Sequence, residues 1–323
     1  MRIAITGATG NLGSSLISAL SIDPGIDEIV GIARHTPPTV LPKVRWQGAD
    51  VSSDDCAPLF QGADAVVHLA WAIQPSHQPN VLNRINVRGS QRVFESAARA
   101  GVKTIVYASS VGAYSPGPKN DTVDETWPTD GIASSIYSRQ KSAVERLLNQ
   151  CQEQNPDIRC VLMRPGLMFK REAAKGIQRL FLGRLIPTRL LLIAGVPLIP
   201  NTTSLVFQAL HTADAAEAIR VVLHKNVRGA FNLAADPVLD PFTMADALDA
   251  RAIRVPASLL RRAVDLSWRL RLQPTDPGWV NLALQSPLLN SGRARTELDW
   301  KPTITSTQAL SELVEGLAAR NRR

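Results

Sequence analysis

Residues 2–13 read Arg2-Ile3-Ala4-Ile5-Thr6-Gly7-Ala8-Thr9-Gly10-Asn11-Leu12-Gly13, and this stretch decides the fold. A short apolar run ends in three glycines. Leu12, Leu16, Ile17 and Leu20 then recur at helical spacing. A strand running through a glycine turn into a helix is the first unit of a parallel sheet. Gly7 lets the chain turn sharply, Gly10 lets backbone approach a ligand, and Gly13 lets helix pack on strand. The free N–H groups at the helix start then suit a phosphate. Two residues separate the first and second glycine, so the loop differs from the ordinary G-x-G fingerprint.

The same alternation continues outward. Strands are predicted at Glu28–Ala33, Val44–Gln47, Ala65–Ala70, Thr104–Ala108 and Arg159–Met163. Helices are predicted over Val81–Ala100, stopped by Gly101, and over Ser138–Gln152. Continuous apolar strands alternating with helices imply a doubly wound α/β fold with a parallel Rossmann-type sheet. The pattern breaks after Arg164-Pro165-Gly166. Residues 167–204 show no clear strand. Leu205–Leu210 and Gly229–Leu233 read as strands, with a helix over His211–His224 between them. Beyond Pro237 the text is helical, over Leu259–Leu272 and Thr305–Arg320, with a frayed basic end at residues 320–323. The expected division is a dinucleotide-binding domain of residues 1–166 plus about 205–235. A smaller, mainly helical substrate cap then takes about 167–204 and 236–323.

The 323 residues are 45% hydrophobic and 20% charged, enough for a full core. The net charge of +8 is uneven: Lys plus Arg against Asp plus Glu is 15 to 15 over residues 1–165 and 21 to 13 over 166–323. That suggests an anionic ligand or surface, or simply a solvated basic face. Cys56, Cys151 and Cys160 fit no metal spacing, and reduced thiols in a cytoplasmic protein are expected. Met1-Arg2 leads straight into the first strand, from which no secretory signal is expected. The apolar run 177–200 is broken by Arg179, Arg184, Arg189, Pro187 and Pro197. It reads as a lid or as a surface-bound amphipathic helix, not as a membrane span. Charge alone allows nucleic-acid binding, but no reader motif supports it.

Ser134-Ser135-Ile136-Tyr137-Ser138-Arg139-Gln140-Lys141 opens the second long helix. Tyr137 and Lys141, four apart, share a helix face. A phenol with pKa near 10 is a weak base at neutral pH, and a neighbouring cation lowers that value. Ser109 and Ser110 end the fifth strand, at the sheet edge where ligands bind. With the glycine loop, Ser110, Tyr137 and Lys141 make the chain resemble the extended short-chain dehydrogenase/reductase family, which includes nucleotide-sugar epimerases and dihydroflavonol-type reductases. Further similar segments are Val67-His68-Leu69-Ala70, Asn86-Val87-Arg88-Gly89, Asp124-Glu125 with Trp127-Pro128, Arg164-Pro165-Gly166, His211-Thr212-Ala213-Asp214 and Leu298-Asp299-Trp300-Lys301-Pro302.

The resemblance implies roles. Tyr137 is the acid/base. Lys141 binds the nicotinamide ribose and tunes Tyr137. Ser110 orients the substrate oxygen, aligned by Tyr114, with Ser109 as fallback. Asn86 is a weaker catalytic candidate that may instead brace its helix. Cofactor contacts are expected from Gly7, Thr9, Gly10, Asn11, Leu12, Gly13, Arg34, Asp50, Val51, Leu69, Ala70, Ser109, Tyr137, Lys141, Pro165 and Gly166, and no metal is expected. Ala33-Arg34-His35 lacks the acid that would hold a ribose 2′-hydroxyl, which favours NADP(H); stacking of Arg34 on adenine would leave NAD(H) as the alternative. Val111 and Gly112 stand where sugar dehydratases of the family carry acids, which speaks against a dehydratase.

For the substrate, Lys170, Arg171, Lys175, Arg179, Arg184 and Arg189 surround Leu180, Phe181, Leu182, Leu185 and Ile186. A second basic run holds Arg254, Arg261, Arg262, Arg269 and Arg271. An apolar pocket with a basic rim follows. The favoured activity is a carbonyl–hydroxyl oxidoreductase acting on a small apolar molecule. The alternatives are an epimerase whose arginines grip a nucleotide-sugar diphosphate, and a cofactor-binding sensor without turnover. A homodimer is expected from the family.

Overall fold

The computed structural model describes residues 1–181, 198–202 and 204–318. Seven parallel strands form the central sheet: β1 (Arg2–Thr6), β2 (Glu28–Ala33), β3 (Val44–Gly48), β4 (Ala65–His68), β5 (Thr104–Ala108), β6 (Arg159–Pro165) and β7 (Gly229–Leu233). Their order is β7-β6-β5-β4-β1-β2-β3. The chain builds outward from β1 through β2 to β3, then crosses to β4 on the other flank of β1. Strand direction therefore reverses its march at β1/β4, and ligands of such sheets bind at that edge.

Both faces are covered, which explains the unbroken apolar strands. Side chains alternate across the sheet. Ile3, Ile5, Val106, Val161 and Met163 pack under helices α1 (Asn11–Ser21) and α4 (Thr212–His224). Ala4, Ile105, Tyr107, Cys160 and Leu162 pack under α2 (Gly89–Arg99) and α3 (Ile136–Gln154). The three cysteines are buried and unpaired.

The helix expected over Val81–Ala100 is a helical run from Pro79 to Arg99 that carries a π-turn at Arg84–Arg88. The second half holds strands that the sequence reading missed. Leu167–Phe169 pairs with Ala209–His211, and Leu198–Asn201 pairs with Arg251–Arg254. Three of these four strands lie in text that reads as unstructured or helical. Residues this short and this mixed in polarity show no period of their own. The strand expected at Leu205–Leu210 is confined to Ala209–His211.

The second half also holds the helices α5 (Ala257–Arg269), α6 (Gly278–Gln285) and α7 (Ser306–Ala318), of which the first two contribute to the site. Ala294, Leu298 and Trp300, which the sequence reading assigns to the cap, pack instead into the α1/α4 core of the sheet. The Asp214 carboxylate accepts from the Thr303 and Ile304 N–H groups and the Thr303 hydroxyl, and Trp300 Nε1 donates to the Asp214 carbonyl. This clamp joins the two C-terminal segments that resemble the family. The expected frayed end at 320–323 lies outside the described residues. Among the described residues no helix is long and apolar enough to cross a membrane.

Candidate active site

A cavity of about 950 Å³ opens along the C-terminal edge of the sheet and continues beneath the second half of the chain. Its floor at one end is the glycine loop. Gly7 has φ +71°, and a Cβ there would lie 2.6 Å from the Ala70 nitrogen. A Cβ on Gly13 would lie 2.6 Å from the Ala8 carbonyl oxygen. Both positions therefore exclude other residues. Gly10 caps α1 without any side-chain hydrogen bond, so the first turn keeps its N–H groups available. Asn11 Oδ1 is buried without a partner in the same place.

Thr9, Asn11, Leu12, Leu69, Ser109, Pro165 and Gly166, among the residues expected to contact the cofactor, also line the cavity. Arg34, Asp50, Val51 and Ala70 do not. Arg34 follows β2, Asp50 and Val51 follow β3, and Ala70 follows β4. They stand at neighbouring strand ends on the same edge. Arg34 is exposed and makes no ion pair among the described residues. Asp50 accepts from the Ser52 N–H, and Val51 is buried against Gly89.

At the centre of the edge stand Ser110, Tyr137 and Lys141, all on the cavity wall. Ser135 caps α3 by accepting from the Ser138 N–H, and this fixes the turn that carries Tyr137. The Ser110 hydroxyl accepts from the Gly112 N–H at 3.0 Å and lies close enough to the Tyr137 phenol to act on its proton affinity. Burial pushes the phenol up to about 12, against the lowering effect of Ser110. Burial also pulls Lys141 down to about 7, with Glu145 acting in the opposite direction. The Lys141 ammonium donates to the Ala108 carbonyl at 2.7 Å and the Tyr107 hydroxyl at 3.3 Å, and sits 3.8 Å over the Trp71 ring. It lies 5.8 Å from the Tyr137 ring centre.

Three expectations need correction. Tyr114 does not align Ser110: its hydroxyl donates to Asn232 and accepts from Arg164. Ser109 cannot serve as a free fallback, because its hydroxyl is given to Glu145 at 2.5 Å. Asn86 does not line this cavity. Its amide accepts from the Ala72 N–H and donates to the Ala72 carbonyl and to Gln140, so it braces the π-turn against α3.

Residues that the sequence reading missed supply most of the wall. Trp71 and Trp279 flank Tyr137, with ring centres 5.8 and 4.8 Å away. Leu205, Phe207, Leu260, Leu282 and Leu289 continue an apolar surface. Gly112 is required by packing, since a Cβ there would lie 2.8 Å from Tyr137 Cε1. Lys170 lines the cavity beside α1 and donates to the Ser14 and Ser15 hydroxyls. Lys119 lies in the wall on the other side.

The basic rim is not found as expected. Arg171 pairs with Glu315, Arg179 is exposed, and no arginine lines the cavity among the described residues. Arg184, Arg189, Leu182, Leu185 and Ile186 lie outside the described residues, as do the side chains of Lys175, Leu180 and Phe181. Arg254, Arg261, Arg262, Arg269 and Arg271 line no part of it either. No group of side chains among the described residues could hold a metal ion.

Comparison with known proteins agrees with this architecture. An uncharacterised protein of Mycobacterium tuberculosis is 26% identical over the whole chain, which spans 30% of that protein's length. Sterol-4-alpha-carboxylate 3-dehydrogenase (decarboxylating) of Saccharomyces cerevisiae is 27% identical over 52% of this chain and 51% of its own. UDP-glucose 4-epimerase of Neisseria gonorrhoeae is 31% identical over 51% of this chain and 52% of its own. Among solved structures, the NAD complex of Thermus thermophilus UDP-glucose 4-epimerase superposes with a TM-score of 0.72 at 19% identity, covering 98% of this chain and 99% of that one. A dTDP-glucose 4,6-dehydratase of Streptomyces venezuelae gives 0.72 at 19%, covering 100% and 98%. Residues 3–234 match the NAD dependent epimerase/dehydratase family, and the chain belongs to that family.

Proposed function

We propose that the protein is an NAD(P)(H)-dependent oxidoreductase that interconverts a carbonyl and a hydroxyl on a small, largely apolar substrate. One observation carries this reading: Ser110, Tyr137 and Lys141 stand where one cavity passes from the glycine loop to an apolar wall.

The residues present fit a dinucleotide. Gly7, Gly10 and Gly13 leave room for a pyrophosphate, the uncapped first turn of α1 offers N–H donors, and the Asn11 oxygen lacks a partner. Lys170 adds a positive charge beside that turn. Arg34, exposed and unpaired at the end of β2, suits a 2′-phosphate, so NADP(H) is favoured over NAD(H). Such a cofactor supplies or accepts the hydride.

The chain's own groups handle the proton. Tyr137, held neutral by burial, is a proton donor at neutral pH and matches the needs of carbonyl reduction. Ser110 positions that hydroxyl and offers a second donor to the same oxygen. Trp71, Trp279 and Leu282 keep water from the reacting centre. Lys141 supplies the nearby positive charge that favours the phenolate in the reverse direction. The apolar wall fits the substrate class, and the yeast relative is named for a sterol. The lack of a lining arginine among the described residues weighs against a nucleotide-sugar diphosphate.

The test is Tyr137→Phe, assayed by NADPH and NADH titration and by turnover of apolar ketones. Turnover should fall by about 10²–10⁴-fold with cofactor affinity retained. Normal turnover would sink the assignment. Tightly copurified NAD with no net redox would replace it with epimerisation. No binding of either cofactor would withdraw the enzyme reading.

A further inference from the structure

Lys119 is the cation of the cavity that nothing neutralises. It lies in the loop between β5 and α3 and lines the cavity wall. Its ammonium donates to two neutral groups, the Val206 carbonyl at 2.9 Å and the Ala283 carbonyl at 2.8 Å. An ammonium has three donors, so one is uncommitted among the described residues. No carboxylate pairs with it among the described residues, and the remaining residues, 182–197, 203 and 319–323, contain no aspartate or glutamate. Burial alone lowers its pKa, to about 8, with no acid acting against it.

The setting is otherwise apolar. Leu205, Phe207, Leu282, Leu284 and Pro287, on the two segments that Lys119 bridges, all line the cavity. A charge taken out of water without a counter-charge is costly, and a bound anion offsets that cost. The other two lining lysines have different placements: Lys141 is at Tyr137 and Lys170 is at α1, near Glu172.

We propose that Lys119 is a specificity residue that binds a carboxylate on the substrate, which is therefore an apolar molecule with one anionic group as well as the reacting carbonyl or hydroxyl. This rests on the oxidoreductase reading of the same cavity and narrows its substrate class.

The test needs no turnover. Nile red, a neutral apolar fluorophore, is bound to the purified protein at pH 7 and displaced with dodecanoate or with dodecanamide. The pair differ in charge and share an alkyl chain. Dodecanoate should displace the dye at a concentration about ten-fold lower or less, as expected for a charge-assisted hydrogen bond. Lys119→Met should erase that advantage and leave the amide within about three-fold. Lys119→Arg should keep the advantage. Lys119→Gln, which retains a donor for the two carbonyls but no charge, should lose it. A mere strut between the two wall segments would alter both ligands alike. Equal displacement by the two ligands in the natural protein, or an advantage that survives in Lys119→Met and Lys119→Gln, overturns the proposal. Tyr137→Phe should keep the dodecanoate preference while losing turnover, so the two readings fail separately.

Discussion

Arg164→Met should cost the protein several degrees of thermal stability, and a second change should restore most of them. Arg164 and Glu145 form a buried pair, 6% and 2% exposed. Arg164 donates through Nε to Oε1 at 3.0 Å and through an η nitrogen to Oε2 at 2.7 Å. Its other η nitrogen serves Tyr114 at 2.8 Å and the Glu125 carbonyl at 3.0 Å. Methionine can fill the space but leaves the Glu145 carboxylate buried without its bidentate partner, with the Ser109 hydroxyl and the attraction of Lys141 remaining. Removing one partner of such a pair costs about 3–5 kcal/mol. Unfolding entropy scales at roughly 2.1 cal/mol/K per residue, or about 0.7 kcal/mol/K for a chain of this length. The melting temperature should therefore fall by about 4–7 °C. Arg164→Met with Glu145→Met removes both charges, and buried pairs replaced by apolar groups of similar volume are often neutral. Calorimetry at pH 7 on the natural protein, the single variant and the double variant decides the matter. A single variant that melts within a degree of the natural protein, or a double variant no better than the single, would refute the reasoning.

Three more predictions bear on the site. Arg34→Ala should weaken NADPH by about ten-fold or more while changing NADH little, as expected for one lost charge-assisted phosphate contact; equal losses in a fluorescence titration would remove the phosphate role. Gly112→Ala should lower kcat more than it weakens cofactor binding, because the new methyl meets the Tyr137 ring at 2.8 Å; an unchanged kcat would show that the ring has room to yield. Lys141, which burial brings to about 7, loses its proton as pH rises through that value, whereas Tyr137 at about 12 stays protonated. The kcat/KM for the cofactor, which reports the free enzyme, should therefore decline above about pH 7, and the decline should vanish in Lys141→Met. A profile flat to pH 9 in the natural protein would contradict this.

The half of the candidate site built from the glycine loop and the Tyr137 helix was legible because the proposed chemistry demands local sequence. A pyrophosphate at a helix start needs glycines at Gly7, Gly10 and Gly13, and each has a backbone reason visible in the structure. Tyr137 and Lys141 share one turn of one helix, so their spacing is itself the geometry. Assignment by adjacency was also where the reading erred. Tyr114 follows Ser110 by four residues, yet the 3-10 turn at Val111–Ala113 sends its hydroxyl to Arg164 and Asn232. Ser109 and Ser110 are neighbours, but alternation at a strand end gives one to Glu145 and leaves the other on the cavity wall with the Gly112 N–H.

The substrate half shows no such local rule, for a physical reason. Its wall is assembled from Trp71, Lys119, Phe207, Trp279 and Leu282, which lie on four separate segments of the chain. Each residue is ordinary where it stands: Trp279 sits in an apolar helix and Lys119 in a polar loop. The sequence reading placed a basic rim by clustering charges along the chain, but arginines close in sequence on a surface helix point to solvent and find partners such as Glu315 or Asp265. Of the three lysines that reach the cavity, Lys170 belongs to the expected basic run and Lys141 to the catalytic helix, whereas Lys119 has no basic neighbour to announce it, and its two carbonyl partners come from residues 206 and 283. Specificity in this fold is therefore written in contacts between distant segments. Carboxylate discrimination at Lys119 is accordingly a better guide to the substrate than any count of basic residues along the chain.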